Sequence, residues 1–310
     1  MQKEVQKFFI DLEQKRVNKE NNIIQLNSDR ITRVKGASGL LRYNIDGTYA
    51  FIKDDDLRNI IYGIASSKMY NDIGITMPKT CLIQDKNGTI NLASQDIRNL
   101  ASSKIDVTLG INTPLYKKFL QNNWRAGKIR NKWNMLFDDD ARLKFLHYMT
   151  PECLDEFIGL YPAGELLTNG DLHWQNVFFY KPAGSDLYEG VIPIDLEFVN
   201  ILLTKNIAAN TAFKEFLSKG YSTYTPTEHR DSVKTYPQRM RAMQENLQEG
   251  NFSPNQIDIM TRMLNYDFPE TIKQISQKYS LPATRAYNTH KVAEKLWQYN
   301  RAHIGRDLGL

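Results

Sequence analysis

The sequence predicts an α+β fold in two lobes, a small antiparallel-sheet lobe followed by a larger, mainly helical one. Two observations carry this reading. Between residues 31 and 95, short β-like runs are separated by turn residues and interrupted by one helical stretch. Beyond residue 96 the apolar spacing becomes mainly helical, broken by two short apolar runs. The 310 residues, 41% hydrophobic and 11% aromatic, suffice for one large domain or two modest ones with a proper core.

Residues 1–28 read as a helix with Phe8, Phe9, Ile10 and Leu12 as its apolar part, so that 1–30 forms an added N-terminal extension. The small lobe then spans 31–95. ITRVKG, LLRYNI and YAFIK are three antiparallel strands, with Gly36-Ala37-Ser38-Gly39 between the first two and Asp46-Gly47 between the second and third. An Asp-Gly pair between strands marks a tight hairpin, because both central residues need positive φ. Residues 57–73 carry apolar side chains at 57, 60, 61, 64, 65 and 69, an amphipathic helix that Gly74 stops. KTCLIQ and TINLAS, joined by Asp85-Lys86-Asn87-Gly88, complete a five-stranded sheet in the order β-β-β-α-β-β. The catalytic lobe covers 96–310, with helices at 141–149 and 151–161, the apolar runs VFFY (177–180) and GVIPIDLEFV (190–199), and further helices starting at Ser253-Pro254 and Pro282.

Bulk charge excludes several classes. Forty Lys and Arg against 35 Asp and Glu give a net charge of +5, which suits a phosphate-rich ligand without calling for nucleic acid. The basic stretch Arg125 to Lys132 reads as a solvated helical face. Cys81 and Cys153 lack metal-ligand spacing and read as small buried hydrophobes, consistent with a reducing compartment. No apolar run approaches the roughly 18 residues of a membrane span, and MQKEVQKFFIDLEQKR is too charged for a secretory signal. A cytoplasmic protein without a membrane span is expected.

The chemistry concentrates in three segments. Asn169-Gly170-Asp171-Leu172-His173-Trp174-Gln175-Asn176 puts a carboxylate and an amide in one loop entering a strand. Phosphoryl transfer needs such a pair: one carboxylate to orient the attacking hydroxyl and take its proton, and a neutral amide oxygen to ligate Mg²⁺. Asp171 and Asn176 fit these roles, while His173 reads as a structural hydrogen-bonder and His147 as a helix-face residue. Asp195 ends the apolar run VIPI, where a carboxylate is costly unless paired or metal-bound, and Glu197 stands ready as a supporting group or further ligand. Lys53 closes YAFIK, from where its ammonium can reach beneath the Gly36–Gly39 loop, whose glycines let backbone amides approach an anion. Each residue alone has an ordinary reading as a turn glycine, strand-end lysine or turn cap. Their order along the chain favours the functional one.

GDLHWQN followed by IDLEF resembles the G-D-x-H-x-x-N and I-D-x-E motifs of the aminoglycoside phosphotransferase and choline kinase families, within the protein-kinase-like superfamily. YAFIK, a helix and then Gly74-Ile75-Thr76-Met77-Pro78 resemble the small lobe of HipA-like kinases, so that the likeness covers residues 31–200. This resemblance implies a two-lobed protein-kinase-like fold that takes ATP and Mg²⁺. It implies that Asp171 is the catalytic base and that Asn176 and Asp195 bind the metal. It further implies that Gly36, Ser38, Gly39 and Lys53 meet the phosphates, and that the hinge at Gln95 to Ile97 receives adenine. Two departures stand out: Asn169 replaces the usual His before Gly-Asp, and residues 57–73 hold no Glu to pair with Lys53, only Asp72 near the end and Asp54 to Asp56 before it.

The leading expectation is a kinase that phosphorylates a hydroxyl acceptor, with a protein slightly favoured over a small molecule or lipid by the HipA-like small lobe. Asp138 to Asp140, the nearest thing to an acidic acceptor pocket, reads as a solvated helix start. The missing helix Glu motivates two alternatives, a pseudokinase acting as a nucleotide-dependent binding module and a kinase fold redirected to AMP transfer. A bacterial effector or toxin, secreted into a host cell, is an expectation from family analogy alone.

Overall fold

In the computed structural model, the described residues are 24–25, 31–34, 41–45, 48–53, 57–84, 90–101, 104–120, 139–168, 172, 174–194, 214 and 236–310. Strands β1 (Ile24–Gln25), β2 (Ile31–Val34), β3 (Leu41–Ile45), β4 (Thr48–Lys53), β5 (Thr80–Gln84) and β6 (Ile90–Gln95) form a six-stranded sheet in the order β1-β5-β6-β4-β3-β2. Ile31 faces Ile45 across β2 and β3, and Ile45 faces Thr48 across β3 and β4. Two residues separate that second pair, the connection the Asp46-Gly47 signal anticipates. The helix read over 1–28 does not run through Ile24 and Gln25, which pair in parallel with Ile83 and Gln84. This sixth, edge strand adds Ile24 and Gln25 to the sheet, because pairing satisfies backbone groups that an isolated polar helix end would leave to water.

Helix α1 (Leu57–Asp72) follows β4. Its apolar stripe is buried, but so are Asn59, Tyr62, Ser66, Ser67 and Tyr70. A second face therefore packs away from the sheet, where Tyr62 meets Phe268 edge-on at 5.1 Å. Gly74 stops the helix with φ at +93°, a conformation other residues adopt only under strain.

The larger lobe contains a second sheet, β7-β8-β9, from β7 (Ile105–Leu109), β8 (Val177–Pro182) and β9 (Gly190–Pro193), antiparallel throughout. The last two are the anticipated apolar runs. β7 lies in a region read as helical; Ile105, Val107 and Leu109 alternate with polar residues, the period of a half-buried strand, and pairing to β8 decides the outcome. Helices α2 (Asp139–Leu146) and α3 (Pro151–Leu166) lie between β7 and β8, and α3 is capped by Thr150, whose hydroxyl accepts from the Cys153 amide at 3.2 Å. His147 sits in the turn after α2 rather than on a helix face. Cys153 is fully buried, as read, and burial pushes its thiol far up.

Four helices complete the lobe: α4 (Tyr236–Gln248), α5 (Pro254–Asn265), α6 (Phe268–Lys278) and α7 (Ala283–Asn300). The start at Ser253-Pro254 is a full capping box with Gln256, and α7 begins directly after Pro282. Phe268 stacks on Trp297 at 4.7 Å, and one continuous apolar core joins α1, β5 and β6 to α3 and α4–α7. The helical lobe thus holds α1 directly, and with it the sheet of the small lobe. Among the described residues, no helix is long and apolar enough to cross a membrane.

Candidate active site

Helix α3 delivers the chain to the predicted catalytic loop. Asn300 donates its amide to the Leu166 carbonyl at 2.8 Å and receives the Tyr236 hydroxyl, while Glu165 accepts from the Arg239 guanidinium at 2.6 Å. The side chains of that ion pair are only 14% and 7% exposed, so α4 and α7 clamp the end of α3 through groups that cannot fall back on water. Two residues later Thr168 takes φ +62° and is fully buried. The sharp turn is held by its surroundings rather than by its own preference.

Leu172 is buried, and Trp174–Asn176 form a single 3-10 turn that enters β8. Trp174 anchors that turn in an aromatic cluster, 4.8 Å from Phe157, 5.5 Å from Phe179 in a stacked arrangement, and 5.9 Å from Tyr116. Gly110 backs onto the same turn so closely that a Cβ there would lie 2.4 Å from the Trp174 carbonyl oxygen. Asn176, 7% exposed, follows in register: its carbonyl accepts from the Ile194 amide at 2.8 Å, next to the Val177–Pro193 strand pair. The two predicted metal-ligand segments are therefore tied to each other through main-chain bonds at one end of β8 and β9.

The predicted hinge reaches the same region. Asp96 caps a 3-10 turn, Ile97–Leu100, by accepting from the Arg98 amide at 3.1 Å and pairing with its guanidinium at 2.9 Å. Arg98 in turn lies over the Phe51 ring at 5.1 Å, fixing the hinge to β4. Ile97 is buried with Leu100, Ile105, Tyr180 and Ile192, and Ile194 packs against that cluster. Gln95 is opposite Ala50 in the sheet and 4% exposed, and its side-chain oxygen has no partner among the described residues. A buried acceptor left open in this way fits an N–H donor from a bound molecule.

Of the predicted site residues, Ile97 thus lies in the apolar cluster, Asn176 is bonded through its carbonyl to Ile194 at the edge of that cluster, and Gln95 ends β6 two residues before Ile97. Lys53 ends β4, with its Cα paired to that of Leu92. Gly36, Ser38, Gly39, Asp171 and Asp195 lie outside the described residues, as do Asp54 to Asp56, Asn169, His173, Glu197 and the basic stretch 125–132. Asp72, the acidic residue within α1, bonds Lys68 at 2.6 Å and the Tyr266 hydroxyl at 2.7 Å, which occupies it at the surface. Among the described residues no three His, Cys, Asp or Glu side chains converge as a metal site; the carboxylates on which the Mg²⁺ expectation rests are not among them. The sequence reading missed Gly110, the role of Trp174 as anchor, and the Glu165–Arg239 clamp. Only Trp174 carried a local signal, a large aromatic inside a polar motif.

No protein-family model and no curated protein matches the chain. Among solved structures it is similar to the Helicobacter pylori proinflammatory kinase CtkA, at 14% identity and a TM-score of 0.57, over 92% of this chain and 96% of that one. It also aligns with HipA of the Shewanella oneidensis MR-1 toxin–antitoxin system, solved with HipB and operator DNA, at 10% identity and a TM-score of 0.49, over 88% of this chain and 66% of that one. With its small sheet lobe, antiparallel except at the β1 edge, its helical lobe and the short β7-β8-β9 sheet, the chain adopts a two-lobed, protein-kinase-like α+β fold.

Proposed function

We propose that the chain is an ATP- and Mg²⁺-dependent phosphotransferase acting on a hydroxyl acceptor. The observation that carries the reading is the hydrogen bond from the Ile194 amide to the Asn176 carbonyl. It couples the residue before Asp195, through the main chain, to Asn176 of the GDLHWQN motif. Asn176 and Asp195 would hold Mg²⁺ in this reading, and the bound ion supplies charge neutralisation on the β and γ phosphates. The residues do the rest. Lys53 contributes its ammonium to the α and β phosphates, and Gly36, Ser38 and Gly39 offer backbone amides. Gln95 and Ile97 seat adenine, with the open Gln95 oxygen accepting from an exocyclic amine. Asp171 accepts the proton of the acceptor hydroxyl as its oxygen bonds to the γ phosphorus and the bond to the departing ADP oxygen breaks.

A protein acceptor is favoured by the small-lobe resemblance, and the likeness to a structure named as a proinflammatory kinase supports a kinase. We propose residues 31–95 as the nucleotide-binding lobe and 96–310 as the catalytic lobe. A second reading, a nucleotide-dependent binding module or an AMP transferase, is favoured by α1, which contains no Glu and whose Asp72 is engaged elsewhere. Incubating the chain with Mg²⁺-ATP and candidate protein acceptors, then weighing each product, separates these readings. A phosphoryl mass supports the proposal, whereas an adenylyl mass or no added mass under conditions of tight nucleotide binding moves the assignment to the second reading.

A further inference from the structure

A cavity of about 180 Å³ opens on another part of the molecule, between the exit of α1, the first turns of α3, strand β9 and helix α5. Its apolar lining includes Leu160, Val191 and Ile259, and its polar lining includes Thr76, Glu156 and Arg262. At roughly 10–15 Å³ per water-sized position, it admits a molecule of about ten non-hydrogen atoms. The polar lining also includes Asn255, and the four polar groups differ in what already engages them: Asn255 donates its amide to Asp155 at 2.6 Å. Arg262 donates to the Ile73 carbonyl and pairs with Asp258 at 2.7 Å, so its charge is balanced. Thr76 is 6% exposed, and its hydroxyl has no partner among the described residues. Glu156 accepts from the Val191 amide, with no Lys or Arg pairing it among the described residues. A half-buried carboxyl with one neutral donor, beside an unsatisfied buried hydroxyl in a wall of mixed polarity, lacks a cation that also donates hydrogen bonds.

We propose that this cavity is a binding site for a small organic cation, an amine or amidine on a short apolar body, held by Glu156 and Thr76. Burial, with the nearby Asp155 charge, raises the Glu156 carboxyl to about 7, so that near neutral pH it is half protonated until a cation arrives. The other titratable groups facing it are Cys153 on α3 and Tyr180 on β8, both raised by burial, and the Arg262 guanidinium sits across the cavity. Neither the Cys153 thiol nor the Tyr180 phenol changes charge between pH 5.5 and 7.5. Binding of a permanently charged amidinium should therefore tighten up to about tenfold per pH unit over that window and level off above it.

The walls belong to α1, to α3 ahead of the GDLHWQN loop, and to β9 ahead of Asp195, but binding is read without turnover. The test thus stands apart from the phosphotransferase reading. Titration calorimetry of the full chain with benzamidine, and with its neutral counterpart benzamide, measures the claim directly. The site predicts saturable benzamidine binding, at least about tenfold weaker for benzamide and at least about tenfold weaker for Glu156→Gln, whose amide oxygen still accepts from Val191. Thr76→Val should weaken it several-fold, and Mg²⁺-ATP should not compete. Absence of binding, equal affinity for the two probes, or binding unchanged in Glu156→Gln would each overturn the proposal, as would competition by ATP.

Discussion

Replacing Gly110 by Ala is the sharpest test of how the site is held. The added Cβ would stand 2.4 Å from the Trp174 carbonyl oxygen, 3.1 Å from that of Val177 and 3.2 Å from Trp174 Cε3. Two of the three are main-chain atoms of the segment that carries Asn176, so no side chain can swing aside. An ordinary carbon–oxygen contact needs about 1 Å more than the shortest of these distances. The 3-10 turn at Gly110–Asn112, closed by the Thr113 amide and hydroxyl on the Gly110 carbonyl, must then separate from the Trp174–Asn176 turn, which the aromatic cluster holds in place. Overpacking of this kind costs about 1–3 kcal/mol, read as a fall of several degrees in a thermal melt. A shift near 1 Å at a catalytic loop costs about 100-fold in turnover. Circular-dichroism melting and Mg²⁺-ATP turnover of Gly110→Ala measure both. A variant that melts and turns over like the parent would refute the claim that this close approach positions Asn176.

Two further perturbations test the electrostatics. Glu156 is raised from 4.5 to about 7, so its proton is bound more tightly in the folded chain than in the unfolded one. That preference favours folding at low pH and is lost as pH rises through the window, so Glu156→Gln should match the parent below about pH 4.5 and be the more stable above about pH 7. Solvent at the cavity mouth discounts the full shift to about 1–2 kcal/mol. Denaturant melts at pH 4.5 and 8 check this, and an equal difference at both would exclude titration as the cause. Glu165→Ala should destabilise by about 3 kcal/mol or more because it leaves the Arg239 charge in the interior without its carboxylate, whereas adding Arg239→Met should recover much of the loss. Additive losses in the double variant would contradict that account.

The sequence signals that held up are local ones. The Asp46-Gly47 pair, the runs later seen as β5, β6, β8 and β9, the Gly74 stop and the helix starts at Ser253 and Pro282 each rest on neighbours within a few residues. What escaped depends on distant partners. Whether Ile105–Leu109 forms a strand is decided by β8, some seventy residues on, and whether Ile24 and Gln25 extend depends on β5. The second buried face of α1 is built from Asn, Ser and Tyr, which no hydrophobic period can flag. Glu165 and Arg239 are ordinary charges until the fold buries them together, and Glu156 becomes unusual only when β9 and α5 enclose it. At the candidate site the motif spacing pointed to Asn176 and the hinge, but it takes the fold, through the β8–β9 pairing and the Ile194–Asn176 bond, to tie the two motif segments to each other.

The most direct test of the central claim is ATP turnover by the purified chain with and without Mg²⁺, beside Asp171→Ala and Asp195→Ala. The account predicts metal-dependent turnover. It is lost in both variants, and Mg²⁺-dependent nucleotide binding survives in Asp171→Ala, which forfeits about 3 kcal/mol or more of transition-state stabilisation, but not in Asp195→Ala. Turnover in Asp171→Ala equal to that of the parent, or no Mg²⁺-dependent nucleotide binding by the parent, would contradict it.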